Sequence, residues 1–354
     1  MSIGTQMKTL DSPVETGAPR NPRIPALDFT KGALVLIMVL YHWINYFISP
    51  GWKYLFYLRF LTPSFIFITG FMISHVYLSK YATTDSQLSK RLIVRGMKLF
   101  AIFFVLNFAR ELIVPVLGTG IAVDRMMISP QVLVDFFASG NLPDYGPKLV
   151  SFPILVSISY LLLIAGVLIP LYRRYRYTFH VACISLFLAS VIFGYADARN
   201  YQIESVAIGM LGVLTGFLPI RTIDNLGRRS YLLAFTYIGY LVAITIWNVP
   251  FLLLIIAVLL NLCILYLLGT RASTNSSIRN EVILLGKYSL VGYISQVAIL
   301  QILSKGYQRL DLGAAKLPSS LFAAVVFTVL AVKMVDLARA RSSEADRLYK
   351  MIFA

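Results

Sequence analysis

The stretch RIPALDFTKGALVLIMVLYH, residues 23–42, sets an aspartate at the mouth of an apolar run and a histidine deep inside it. An ionisable side chain at the centre of a membrane helix costs about 3 kcal/mol and marks a functional site by default. His42 is therefore the residue against which the rest of the chain is read.

Composition places the chain in a membrane. Hydrophobic residues are 58% of the 354 and charged residues 14%, well under the roughly 25% of a soluble domain. The formal charge is +16, but the basic residues fall in short clusters between apolar runs, which is a topology signal and not a nucleic-acid surface. Cys183 and Cys263 both lie inside apolar runs, so they offer neither a disulfide framework nor a metal site. The three histidines lie at different depths, and no metal is expected.

A hydrocarbon core of roughly 30 Å takes about 20 residues per helix, and the chain offers about ten such runs. They cover 32–49, 54–78, 92–117, 149–171, 177–195, 203–220, 231–248, 251–269, 282–303 and 321–335. Lys and Arg cluster before the first run and after the second, fourth, sixth, eighth and tenth, while the intervening loops are poorer in charge. The excess marks the cytoplasmic side, so both termini are cytoplasmic and the number of spans is even. The expected architecture is an all-α, polytopic bundle of about ten transmembrane helices in the cytoplasmic (inner) membrane. A disordered tail is expected over 1–22, the membrane domain over 23–337 and a basic cytoplasmic tail over 338–354. The longest outer segment, 118–148, holds an amphipathic stretch at 131–138 that reads as a lid or as a plain connection.

Depth can be counted at 1.5 Å per residue. His42, Arg59, Arg110, Glu111 and Gln296 then all lie roughly 8 to 11 Å below the outer ends of their helices. An imidazole that titrates near neutrality suits proton removal from a hydroxyl nucleophile. Arg59 can stabilise an oxyanion or hold an acidic group. On the alternative reading Arg59 and Arg110 snorkel to the interface and Glu111 neutralises its neighbour. Asp28 cannot pair with His42, because 14 residues bring it to within about 40° of the same face but about 21 Å away. It is either a helix N-terminal carboxylate beside Lys31 or part of an entrance for a cytoplasmic co-substrate. His75 and His180 read as interface residues.

LDFTKGALVLIMVLYH at 27–42 resembles the opening motif of the acyltransferase-3 type of membrane acyltransferase, including its Asp to His spacing. Arg59 followed by TPSFIFITGFMIS at 62–74 is similar to that family's arginine and phenylalanine-rich segment. KRLIVRGMKLF at 90–100 resembles its basic third-span segment, and LGKYSLVGYISQ at 285–296 its late element. Lys31 stands where arginine is usual, which keeps the charge and loses the bidentate fork. Gln296 stands where a histidine is common, which leaves hydrogen bonding without proton transfer. Such departures fit a divergent branch, for example one like the glucan succinyltransferases.

The resemblance implies transfer of an acyl group, most often acetyl, from cytoplasmic acyl-CoA to a hydroxyl of a cell-surface or periplasmic carbohydrate or glycolipid. On that reading His42, Arg59 and Glu111 form the catalytic set. Asp28, Lys31, Arg91, Arg95 and Lys98 receive the CoA, and Arg110, Tyr293 and Gln296 contact the acceptor. Two other classes stay open. One is a proton-coupled transporter or flippase using the same polar layer, and the other is a scaffold with a degenerate acyltransferase fold.

Overall fold

A computed structural model of the chain describes residues 24–48, 56–78, 85–116, 130–140, 152–196, 198–220, 222, 230–246, 251–272 and 276–353; the side chains of 56, 85–86, 110–116, 130–133 and 230 are not described. Among these residues there are α-helices and no strand. The helices are α1 Pro25–Trp43, α2 Leu61–Met72, α3 Asp85–Val116, α4 Pro130–Ser139, α5 Ile154–Arg174, α6 Thr178–Tyr195, α7 Tyr201–Thr215, α8 Ser230–Ile246, α9 Phe251–Arg271, α10 Ser277–Lys287, α11 Ser289–Gln308, α12 Lys316–Arg341 and α13 Ser343–Phe353.

Each apolar run forms helix. Among the described residues seven helices are long and apolar enough to cross a membrane, α10 and α11 form one bent pair, and α7 and α8 are shorter apolar helices. The protein is a multi-pass helical membrane protein. Its exterior carries apolar stripes at helical spacing: Val181, Ile184, Leu188 and Ile192 along α6 are each about 60% exposed, as lipid-facing residues are.

Helix directions follow the alternation of charge. Gly292 of α11 meets Val35 of α1, and Leu300 clusters with Val39 and Trp43, so α11 lies parallel to α1, whereas α10 crosses α1 in the opposite sense, Val282 meeting Gly32 and Gly286 meeting Asp28. Gly166 of α5 meets Ser89 and Ile93 of α3 while Gly96 meets Ser159, so these neighbours lie antiparallel. The start of α1 and the end of α13 come to the same side, because α10 packs on Asp28 and α13 packs on Tyr288.

With lipid on the outside, close backbone approach takes over part of the role that hydrophobic burial plays in water. A Cβ at Gly286 would lie 1.7 Å from the carbonyl oxygen of Asp28, and one at Gly32 would lie 1.8 Å from that of Val282. A Cβ at Gly70 of α2 would lie 1.9 Å from the carbonyl oxygen of Gly209 in α7. These glycines sit in the KGA, ITGF and LGKY segments of the sequence.

Two features go beyond the sequence expectations. The ninth run is broken at Tyr288, where α10 and α11 meet at 93°. The cause is side-chain capture: the Tyr288 hydroxyl donates to Asp336 of α12 at 2.6 Å, and Lys287 bonds the same carboxylate at 2.9 Å. The expected basic tail is also structured, with α12 continuing to Arg341 and α13 following one residue later. The 337/338 boundary therefore falls inside a helix. The tail expected over 1–22 lies outside the described residues, as does the outer segment except for 130–140.

One long-range bond closes the outer end. The Trp43 indole donates to the Ser320 hydroxyl at 2.9 Å, and that hydroxyl donates to the Leu317 carbonyl. Ser320 is wholly buried. Ser320→Ala would leave the indole N–H unpaired, which costs about 1–3 kcal/mol. Thermal unfolding in detergent should show the variant melting below wild type.

Candidate active site

His42 lies in the last turn of α1, and the helix passes into a π turn over Ile44–Ile48. Such turns recur at functional sites because they re-aim side chains at the cost of regular hydrogen bonding. The ring is half-buried and packs edge-on against Tyr41, with centroids 5.2 Å apart. Among the described residues it has no hydrogen-bond or ion-pair partner.

Gln296 stands on the neighbouring parallel helix. Gly292 meets Val35, and Leu300 clusters with Val39 and Trp43, so Gln296 stands between those levels, inward of His42. It is wholly buried, and among the described residues neither its amide nitrogen nor its oxygen has a partner. A buried polar group left unpaired costs about 1–3 kcal/mol. Such an amide can serve a group that has both a donor and an acceptor.

Arg59 is placed differently from its expected depth. It lies in the turn between the short 3₁₀ helix Phe56–Leu58 and α2, and is exposed at the outer end. It interacts electrostatically with Arg199, Tyr41 and Glu204, and Glu204 interacts with both guanidinium groups. Arg59 thus belongs to an outer rim, not to the buried layer with Gln296. Glu111 and Arg110 are backbone residues of α3 whose side chains lie outside the described residues.

Tyr293 is buried and packs edge-on against Phe152 with centroids 5.6 Å apart. It lies within electrostatic reach of Tyr41 and Tyr201. Tyr201 in turn hydrogen-bonds Ser205 and Thr62. Phe152 holds a φ of 66°, a left-handed conformation that a bulky residue adopts only under constraint. The polar ground beside His42 is therefore a set of tyrosines capped by the Arg59, Glu204 and Arg199 rim.

The sequence contains a signal for this rim. Glu204 is a lone carboxylate in the first turn of an apolar helix, the same pattern that singles out His42. Tyr41 and Tyr201 give no such signal, since tyrosine is common near membrane interfaces. Gln202 is likewise buried: Ser157 donates to its oxygen at 2.7 Å while its nitrogen is unpaired.

The inner residues are a separate station. Lys31 bonds Asp28 at 3.1 Å, with both side chains less than a fifth exposed, so the first turn of α1 is internally neutralised. Arg91, Arg95 and Lys98 share one face of α3 by their spacing. Arg95 donates to the Tyr77 hydroxyl, and it lies near Tyr349 of α13. Arg91 and Lys98 are also engaged with neighbours. His75 meets the Gly216 carbonyl at 3.1 Å and stacks on Phe71, which is a packing role. Among the described residues no three His, Cys, Asp or Glu side chains come together as a metal site.

Comparison with family models, with curated proteins and with solved structures gives no match.

Proposed function

We propose that this protein is a membrane-embedded O-acyltransferase that moves an acyl group, acetyl in the simplest case, from cytoplasmic acyl-CoA to a carbohydrate hydroxyl at the outer side of the inner membrane. The observation that carries the reading is an imidazole and a buried amide, His42 and Gln296, each without a hydrogen-bond partner among the described residues, on the neighbouring helices α1 and α11. Such a pair suits a reaction that needs a proton acceptor and a donor to a carbonyl oxygen.

In this reading His42 takes the proton of the acceptor hydroxyl as the oxygen attacks the thioester carbonyl. The carbon–sulfur bond then breaks, and the imidazolium returns the proton to the departing thiolate. The products are an ester and free CoA. The cationic face of α3 at the inner end, Arg91, Arg95 and Lys98, suits the phosphates of CoA. The outer rim of Arg59, Glu204 and Arg199 suits a hydroxyl-rich acceptor.

A ligand that binds only the folded form raises apparent stability, by about 2.7 kcal/mol at one hundred times its dissociation constant. Acetyl-CoA should therefore raise the melting temperature of the purified protein, and Arg91→Gln combined with Arg95→Gln should remove most of that shift. No shift with any acyl-CoA would count against the reading. The 93° break between α10 and α11 favours a second reading, since many transporters place broken helices at their substrate sites. Movement of substrate across liposomes without acyl-CoA would support it.

A further inference from the structure

The C-terminal helix α13, SEADRLYKMIF, divides into three faces. At 100° per residue Asp346, Tyr349 and Phe353 fall within one 60° arc, Leu348, Met351 and Ile352 within a second arc that Glu344 joins in the first turn, and Arg347 and Lys350 within a third, with centres roughly 120° apart.

The first face is occupied by the protein. Arg339 stacks over the Tyr349 ring at 3.9 Å and donates through its Nε to Asp346 at 2.9 Å. Tyr349 packs edge-on against Tyr288, the residue at the helix break, with centroids 5.4 Å apart. The second face is bare: Leu348, Met351 and Ile352 are 54%, 63% and 41% exposed. It continues the exposed apolar surface of α12, where Met334 and Leu337 precede it. The third face is basic and exposed, with Arg341 just before it; Lys350 reaches back to Asp346 at 2.6 Å while its side chain stays 63% exposed.

A helix lying flat beside a bundle meets three media, with protein to one side, acyl chains above and water below. The faces of α13 match these three in order. Lys and Arg near such a surface are drawn to anionic headgroups.

We propose that α13 lies in the cytoplasmic headgroup layer, sinks Leu348, Met351 and Ile352 among the acyl chains, and binds anionic phospholipid through Arg341, Arg347 and Lys350. The docked helix then holds Tyr349 and Arg339 against Tyr288, so the inner leaflet braces the break between α10 and α11. This inference is independent of the acyltransferase reading.

The test uses the full-length protein in lipid nanodiscs, with Cys183 and Cys263 replaced by alanine. A single cysteine at Ile352 or at Arg347 carries an environment-sensitive fluorophore. The label at Ile352→Cys should lose most of its emission to a quencher fixed on the acyl chains, and the label at Arg347→Cys should respond to aqueous iodide instead. Adding phosphatidylglycerol to phosphatidylcholine nanodiscs should deepen the first signal. Arg341→Gln, Arg347→Gln and Lys350→Gln combined should abolish that gain, with a shift in the docked population on the order of a hundred-fold. Equal iodide quenching at both positions would overturn the placement. A signal indifferent to phosphatidylglycerol and to the triple variant would overturn the lipid assignment.

Discussion

Replacing His42 by alanine is expected to lower acyl transfer by about 10²- to 10⁴-fold, the usual contribution of a positioned general base. That range corresponds to about 2.7–5.5 kcal/mol of transition-state stabilisation. The fold should survive, because the ring is half-buried and makes no hydrogen bond among the described residues. His42→Gln keeps much of the volume and some hydrogen bonding, yet it cannot take up a proton, and it should fall with the alanine variant. The measurement is turnover at saturating acetyl-CoA, with size-exclusion profile and melting temperature as controls for folding. Turnover within twofold of wild type would remove His42 from the mechanism.

Gly286→Val is expected to abolish the folded protein. The first added carbon already overlaps the Asp28 carbonyl oxygen, and the obstacle is backbone on both helices, so no flexible side chain can turn aside. Overpacking commonly costs 1–3 kcal/mol where side chains adjust, and here the cost should be about 3 kcal/mol or more. A domain holds only about 5–15 kcal/mol in total. Gly194→Ala and Gly306→Ala are the controls, since a Cβ at either position meets nothing within 4 Å. Those changes should be neutral or should stabilise by roughly 0.5–1 kcal/mol, as alanine favours helix over glycine. Yield of monodisperse protein after detergent extraction separates the two outcomes. A soluble, wild-type-like Gly286→Val would mean that α1 and α10 do not cross as closely as described.

The helices were legible in the sequence because a membrane span is a long, uniform signal: apolar for about 20 residues and bounded by charge. The break at Tyr288 was not, since the apolar run continues through it and its cause is a hydroxyl captured by Asp336, nearly fifty residues away. The helix α13 hides for a related reason. Its basic residues look like a cytoplasmic tail until Tyr349 and Asp346 find Arg339. In the site, helical arithmetic separates Asp28 from His42 and brings Gln296 near the depth of His42. It misplaces Arg59, because residues 59–60 form a turn before α2 and not part of its first turns. The Arg59, Glu204 and Arg199 rim joins the segment before α2 to the start of α7, a relation that no local pattern encodes.

The most direct test of the central claim is transfer of label from acetyl-CoA by the purified protein in nanodiscs, offered a mixture of carbohydrate and glycolipid acceptors, with His42→Ala alongside. The account predicts a labelled, alkali-labile ester with the wild type and at least a hundredfold less with the variant. Equal label with both proteins, or no label with the wild type under conditions where acetyl-CoA binds, would contradict it.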